Sequence, residues 1–296
     1  MAEASVNGVR IAYQQLGEGP DLVFVHGLAA NRAFWYGAYA LPLARHFRIT
    51  LYDLRGHGYS ERAASGYSPS EQALDLAGLL DVLKVERCAL VGHSFGGAVA
   101  IEYACLHPER IERLALLDTK INRLQPHQLL SDSPHLTAFE IEAANRSQRD
   151  WHTEQQVGLL FLETLARQRV EGFESTAKDS YTPFGEGGRG SLRNAKQWLD
   201  LIDTTGAVPE FSLPGAEADA IARLSMPTLL MYGEHSRCLP TLRALKPLLP
   251  QAQIEIVPKG GHFFPLGNRA YTFPRLANFL GVNVAAENVD PAELAG

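Results

Sequence analysis

Gly92-His93-Ser94-Phe95-Gly96 joins an apolar run, residues 88–91, to a stretch with helical patterning that begins at Gly97. This order predicts a buried strand that turns sharply into a helix, with Ser94 in the turn. A residue in such a turn has a strained backbone, which only small neighbours tolerate, and its side chain points away from the sheet edge. The two glycines of the pentapeptide are those small neighbours, so we predict that Ser94 presents its hydroxyl as a nucleophile.

Apolar runs of strand length alternate with helix-patterned segments over the first 118 residues and again from residue 226. Such alternation is typical of an α/β fold, in which helices cover both faces of a parallel sheet. The pair Asn7-Gly8 is a preferred two-residue hairpin turn, so the chain is predicted to open with two antiparallel strands. The predicted strands cover residues 5–6, 9–13, 22–25, 49–52, 88–91, 114–117, 228–232 and 254–257.

The alternation stops between residues 119 and 225, where only residues 151–169 and 191–202 have clear helical spacing. We therefore predict a helical cap of residues 119–225 inserted into a core formed by residues 1–118 and 226–282. The glycine-rich residues 185–190 follow no strand and lack a Gly-Lys-Ser/Thr ending, which predicts a flexible cap loop, not a phosphate site. Residues 283–296 are predicted to form a loose tail.

Composition narrows the class of partner. The chain has 296 residues, 46% of them apolar, and a net charge of −6 without a long basic cluster, so we expect no nucleic acid and no membrane as partner. Three scattered cysteines without a C-x-x-C pair predict reduced thiols and no metal site.

The absence of a signal-like segment or a spanning apolar run predicts a cytoplasmic protein. A small-molecule substrate and no cofactor are expected, and the sequence is silent on oligomeric state.

Three motifs follow the ends of predicted strands in a fixed order: His26-Gly27, the pentapeptide around Ser94, and Gly260-Gly261-His262-Phe263. This order resembles the α/β-hydrolase family over residues 1–282, apart from the cap. The resemblance implies an α/β-hydrolase fold, with a mostly parallel sheet of about eight strands and an inserted helical cap. It also implies a serine hydrolase that forms an acyl-enzyme.

The resemblance assigns roles to further residues. His262 corresponds to the base that takes the proton from Ser94, and the backbone N–H groups of Leu28 and Phe95 correspond to the oxyanion hole. Of the other histidines, His93 is predicted to pack beneath the turn and His57 to be structural. His235 lies near the catalytic edge without an evident role.

The acid that supports the base departs from the family's commoner pattern. Most relatives have an aspartate in a G-x-x-D-x-x-x-P phrase, and here residues 233–240 carry Ser236 in its place. Some members, including haloalkane dehalogenases and certain polyketide-releasing thioesterases, place the acid after the strand that follows the nucleophile helix. That position is Asp118, which we predict to be the acid. Glu234 is the rival, and a dyad without an acid is the third alternative.

A serine nucleophile excludes the aspartate-based chemistry of the dehalogenases and epoxide hydrolases that resemble this layout. The sequence predicts hydrolysis of a carboxylic ester or thioester with an apolar acyl group, either free or bound to a carrier protein. The relocated acid favours a thioesterase-like enzyme by analogy. A carbon–carbon bond hydrolase acting on a diketone and a non-catalytic ligand receptor are the alternatives. Aromatic cap residues would line an acyl pocket or pack in the core: Phe139, Trp151, Phe161, Tyr181, Phe184 and Trp198.

Overall fold

The computed structural model describes residues 2–173, 184 and 189–283. These residues form an eight-stranded sheet in the order β1-β2-β4-β3-β5-β6-β7-β8. β2 pairs antiparallel with β1 and β4, and every neighbouring pair from β4 to β8 is parallel, so the predicted fold class is confirmed. The strands are β1 (Ala2–Val6), β2 (Val9–Leu16), β3 (Asp21–Val25), β4 (Arg48–Tyr52), β5 (Cys88–His93), β6 (Ile111–Leu117), β7 (Thr228–Gly233) and β8 (Gln253–Val257).

The predicted hairpin opens the chain. Val6 pairs with Val9, and both turn residues have positive φ, 47° at Asn7 and 75° at Gly8. Two consecutive residues of this kind match the right-handed twist of the flanking strands.

Helices cover both faces of the sheet. Because side chains alternate along a strand, Leu90 and Leu116 join one buried cluster while Val91 and Leu117 join a second cluster on the opposite face. The helices are α1 (Ala33–Trp35), α2 (Leu41–Leu43), α3 (Pro69–Val82), α4 (Phe95–Leu106), α5 (Ala138–Arg146), α6 (Val157–Val170), α7 (Arg189–Thr204), α8 (Ala207–Phe211), α9 (Ala218–Ala222), α10 (Leu239–Leu248), α11 (Phe264–Gly267) and α12 (Arg269–Phe279). A π-helical turn, Tyr36–Ala40, joins α1 to α2. Within the described residues, every helix is too short or too polar to cross a bilayer.

The segment between β6 and β7 contains α5 to α9, and its described residues add no strand to the sheet. The predicted helix over residues 151–169 is wrong at its start, because residues 151–153 form a turn in which Thr153 Oγ1 donates to Asp150 O at 2.9 Å. α5 was not predicted. Its signal is a capping box, in which the side chains of Thr137 and Glu140 each accept from the other's backbone N–H. The predicted tail from residue 284 on, Tyr181 and most of the glycine-rich loop lie outside the described residues.

The carboxyl ends of the parallel strands meet at one edge of the sheet. β3 is followed by His26, β5 by Ser94, β6 by Asp118 and β7 by Glu234, while His262 lies in the loop after β8. In open α/β sheets, ligands bind at this edge. The fold therefore gathers at one edge the predicted nucleophile, the predicted base and both candidate acids.

Candidate active site

Ser94 lies in a strained turn between β5 and α4, with φ 56° and ψ −125°. The turn leaves no room for larger neighbours. A Cβ atom added to Gly92 would lie 2.5 Å from the carbonyl oxygen of Gly96, and one added to Gly96 would lie 2.3 Å from the carbonyl oxygen of His26. Both distances are below contact distance with backbone atoms that cannot move aside. The two glycines therefore permit the bend that points Ser94 at the cavity it lines.

His262 bridges two of the predicted site residues. Its Nε2 lies 2.9 Å from Ser94 Oγ, and its Nδ1 lies 2.7 Å from Asp118 Oδ2. His93 is buried with its ring centroid 4.9 Å from that of His262, and its Nε2 donates to the carbonyl oxygen of His262 at 2.9 Å. Burial holds the pKa of His93 well below its ordinary value, so its ring is neutral and fixes the loop without competing for the proton.

Asp118 is fully buried, yet both of its carboxylate oxygens have donors. Oδ1 accepts from the Gly233 N–H at 3.0 Å, and Oδ2 accepts from the Ser236 hydroxyl at 2.5 Å as well as from His262. Its own N–H donates to Met231 O at 2.8 Å, which ties it to β7. Hydrogen bonds of this kind stabilise a buried carboxylate in its ionised form.

Glu234 is not brought to His262. Its Oε2 accepts from the backbone N–H of Lys259 at 2.8 Å, and its side chain is 54% exposed. Ser236 occupies the position of the aspartate in the commoner pattern. Its hydroxyl donates to Asp118, the carboxylate that contacts His262 instead. That role was not predicted, although the position of Ser236 in the phrase was the signal.

Leu28 and Phe95 both line the cavity next to Ser94. Phe95 is the first residue of α4, where backbone N–H groups have no partner within the helix and remain available to an anion. Gly27 brings the end of β3 close to the turn, since a Cβ atom there would lie 3.0 Å from Ser94 Cβ. Their role as oxyanion donors remains a prediction.

The cavity above Ser94 has a volume of about 790 Å³, within the range of small-molecule sites. Its wall toward α5 and α6 is largely apolar. Of the predicted aromatic residues, Phe139 and Phe161 line it, whereas Trp151 stacks behind Phe161 with ring centroids 4.1 Å apart. Phe184 and Trp198 are buried without lining it.

Polar groups line the remainder of this cavity, and the sequence did not single most of them out. His135 and His235 stack with ring centroids 3.5 Å apart, which gives His235 a place in the wall. Arg237 pairs with Glu140 at 2.6 Å. Lys120, two residues after Asp118, also faces the cavity.

His26 and His57 are structural, as expected for His57. The Nδ1 of His26 contacts Gly27 O at 2.7 Å and its Nε2 accepts from the Leu54 N–H at 3.0 Å, so the ring is a neutral bridge. Burial lowers the pKa of His26 to about 4 and that of His57 to about 3. Neither ring is placed to take a proton from Ser94.

Asp118, Cys238 and His262 offer ligand atoms within 4.8 Å of one another, which is the spacing of a small metal site. Burial, and next the charge of Asp118, raise the pKa of the Cys238 thiol well above its usual value, so it remains protonated. A protonated thiol is a poor ligand, and the facing atoms of the other two are already joined by a hydrogen bond. The cluster fits a hydrogen-bond chain better than a metal centre.

Residues 20–268 match the family model described as alpha/beta hydrolase fold, and the chain belongs to this family. An uncharacterized protein of Mycobacterium tuberculosis is 39% identical over 113 residues, which cover 38% of this chain and 33% of that protein. A pimeloyl-[acyl-carrier protein] methyl ester esterase of Nitrosospira multiformis is 40% identical over 114 residues, covering 38% of this chain and 43% of the esterase. These matches thus span well under two thirds of the relatives.

One solved structure resembles the protein along most of its length. It is described as Est816, an N-acyl homoserine lactone degrading enzyme, with a TM-score of 0.68 and 25% identity over 94% of this chain and all of that one. The family and these relatives support hydrolase activity in general.

Proposed function

We propose that this protein is a serine hydrolase that cleaves a carboxylic ester or thioester through an acyl-enzyme on Ser94. The observation that carries the proposal is the hydrogen-bond chain from Ser94 through His262 to Asp118, at the wall of a cavity whose side toward α5 and α6 is largely apolar. A neutral serine is a weak nucleophile, and a neighbouring base whose ring is held by a carboxylate is the arrangement that activates it.

In the first half of the reaction, Ser94 Oγ attacks the carbonyl carbon while His262 Nε2 takes its proton. The carbonyl oxygen becomes an oxyanion, toward which the N–H groups of Leu28 and Phe95 point in our assignment. A preorganised donor of this kind contributes about 10²- to 10³-fold in rate. His262 then protonates the leaving alcohol or thiol, which departs and leaves the acyl group on Ser94.

In the second half, a water molecule gives a proton to His262 and its oxygen attacks the acyl carbon. Collapse of this second tetrahedral intermediate returns the proton to Ser94 Oγ and releases the carboxylic acid. Asp118 keeps the Nδ1–H tautomer of His262 throughout and stabilises the imidazolium. Its buried carboxylate performs this role from the end of β6, whereas Ser236 follows the neighbouring strand β7.

Covalent labelling tests the nucleophile directly. The wild-type protein should form one adduct with a fluorophosphonate, located on Ser94 by peptide mass spectrometry, and Ser94→Ala should form none. Ser212→Ala, which changes another serine of the cavity wall, should label as the wild type does. A wild-type protein that forms no adduct would favour the non-catalytic receptor.

A substrate panel tests the reaction class. The panel separates ester, thioester and carbon–carbon bond hydrolysis. It contains p-nitrophenyl esters, acyl thioesters of matched chain length, the same acyl groups on a carrier protein and a vinylogous diketone. We expect ester or thioester turnover that Ser94→Ala abolishes. Cleavage of the diketone alone would support the carbon–carbon hydrolase instead.

A further inference from the structure

Lys120 faces the interior of the cavity from the segment that follows β6. Its side chain is partly buried, and its Nζ donates to Asn122 Oδ1 and, at 3.3 Å, to Gln156 Oε1. Both acceptors are neutral amide oxygens, and both residues also line the cavity. The ammonium group is therefore held in place by partners that do not cancel its charge.

The amides are themselves fixed by backbone carbonyl groups. Asn122 Nδ2 donates to Phe211 O at 2.8 Å and to Leu213 O at 2.9 Å, while Gln156 Nε2 donates to Pro126 O at 2.8 Å. Because the NH₂ ends are taken, the amide oxygens must face Lys120. An ammonium group has three N–H donors, and these two oxygens use two of them.

The other charged side chains of the wall are compensated or exposed. Glu140 pairs with Arg237, and Glu234 points to a backbone N–H at the exposed end of the cavity. Within residues 2–173 and 189–283, by contrast, no carboxylate lies within 4.0 Å of Lys120 Nζ. Asp132 acts on Lys120 through its charge but does not contact it. A cation partly removed from water without a directly paired carboxylate is costly, and an anion in the cavity would offset that cost.

We propose that Lys120, oriented by Asn122 and Gln156, binds a carboxylate of the substrate remote from the bond that is cleaved. This inference rests on the proposed ester or thioester hydrolysis and adds a substrate class: an acyl compound that carries a negative charge at a distance from its carbonyl group. Lys120 supplies a charge-assisted hydrogen bond, while the apolar wall holds the intervening chain.

The test compares two p-nitrophenyl esters of six-carbon acids, the half-ester of adipate and the neutral hexanoate. Lys120→Met keeps an unbranched apolar side chain, one atom shorter than lysine, but removes the charge. We expect it to lower kcat/KM for the adipate half-ester about 10- to 100-fold relative to the hexanoate, mainly through KM. Lys120→Arg should recover part of the difference.

Lys259→Met is the matched control, because Lys259 lines the exposed end of the same cavity. It should leave the ratio of the two esters as in the wild type. A second pair, 4-carboxyphenyl hexanoate and phenyl hexanoate, places the carboxylate on the leaving group. Loss of preference in the first pair supports the proposed charge on the acyl chain, and loss in the second pair alone would overturn that placement in favour of the leaving group.

The pH dependence gives an independent readout. Burial lowers the pKa of Lys120 to about 8, and the charge of Asp132 acts in the opposite direction. The carboxylate of the substrate stays ionised above this pH while Lys120 loses its proton. The preference for the anionic ester should therefore decline above about pH 8 in the wild type and be flat in Lys120→Met.

Unchanged ratios in Lys120→Met for both ester pairs would overturn the inference, and so would a loss of preference in Lys259→Met alone. If the wild type hydrolysed neither ester, the proposed function would fail separately. Calorimetric titration with adipate then answers the binding question without turnover. Affinity at least tenfold weaker in Lys120→Met supports the site, and equal affinity overturns it.

Discussion

Replacing Asp118 by asparagine keeps the shape of the side chain and changes only its charge and donor pattern. Oδ1 accepts from the Gly233 N–H, and Oδ2 accepts from Ser236 and faces His262 Nδ1. An amide NH₂ at the Oδ1 position would face another donor, because a backbone N–H cannot reverse. The NH₂ group must therefore take the Oδ2 position, where the Ser236 hydroxyl can rotate to accept from it.

In that orientation the amide donates to His262 Nδ1, so the imidazole carries its proton on Nε2. Nε2 then has no lone pair to accept the proton of Ser94 Oγ, although the distances are unchanged. The wrong tautomer in a serine protease triad lowers kcat about 10⁴-fold, and we expect a loss of about 10³- to 10⁴-fold here. KM should change little, since Asp118 is fully buried beneath the cavity wall.

The assay is steady-state hydrolysis of a p-nitrophenyl ester, with circular dichroism and a thermal melt to establish that the variant is folded. Glu234→Gln is the matched control, because it makes the same change at the rival carboxylate, and we expect activity within about twofold of the wild type. An Asp118→Asn variant that kept a tenth of the wild-type kcat would refute the tautomer argument. A large loss of kcat in Glu234→Gln alone would identify Glu234, at the end of β7, as the acid.

Three further predictions concern stability. Ser236→Ala removes a charge-assisted hydrogen bond to a buried carboxylate and should lower the free energy of unfolding by about 1.5–3 kcal/mol in urea titrations. Gly96→Ala forces a Cβ atom against the His26 carbonyl and should cost about 1–3 kcal/mol or more, with loss of activity. Below pH 6.5 the unfolded chain binds a proton at His26 that the folded chain binds only near pH 4, so His26 should contribute about 3 kcal/mol to a fall in stability across that window. His26→Gln should make the slope shallower by that share, while His57 and His93, whose pKa values burial also lowers, keep the remainder.

Each of these has a clear contrary result. Ser70→Ala, which removes a hydroxyl donor from Glu102 away from the site, serves as the control for Ser236→Ala, and equal small losses in both would contradict a special role. A Gly96→Ala protein with wild-type activity and melting temperature would show that the turn can relax. An acid slope of unchanged steepness in His26→Gln would show that His26 does not contribute to it.

The positions of the strands along the chain and of Ser94 in its turn could be predicted because they depend on local patterns. A continuous apolar run followed by glycines specifies a buried strand and a tight turn whatever lies elsewhere in the chain. The segment between β6 and β7 was harder. Its helices mix polar and apolar residues, so their hydrophobic periodicity is weak. The sequence signal for α5 is the capping box of Thr137 and Glu140, and not an apolar repeat.

Long-range hydrogen bonding limited prediction of the site. Asp118 and Glu234 are both carboxylates at the same sheet edge, and only the three-dimensional arrangement shows that Glu234 turns to a backbone N–H beyond β8. The environment of Lys120 depends on amides 2 and 36 residues away and on carbonyl groups still further along the chain. No spacing rule relates these residues, so the polar subsite emerges only from the fold.

The hydrogen bonds of the Ser94–His262–Asp118 chain close loops of 168 and 144 residues. Contacts so distant in sequence form slowly, since a long loop must be closed before they contribute. Helices of the refolding chain can regain their circular dichroism while His262 is still far from its partners. Hydrolytic activity should accordingly return only in the last kinetic phase, which makes turnover a stricter measure of native structure than any spectroscopic signal from the helices.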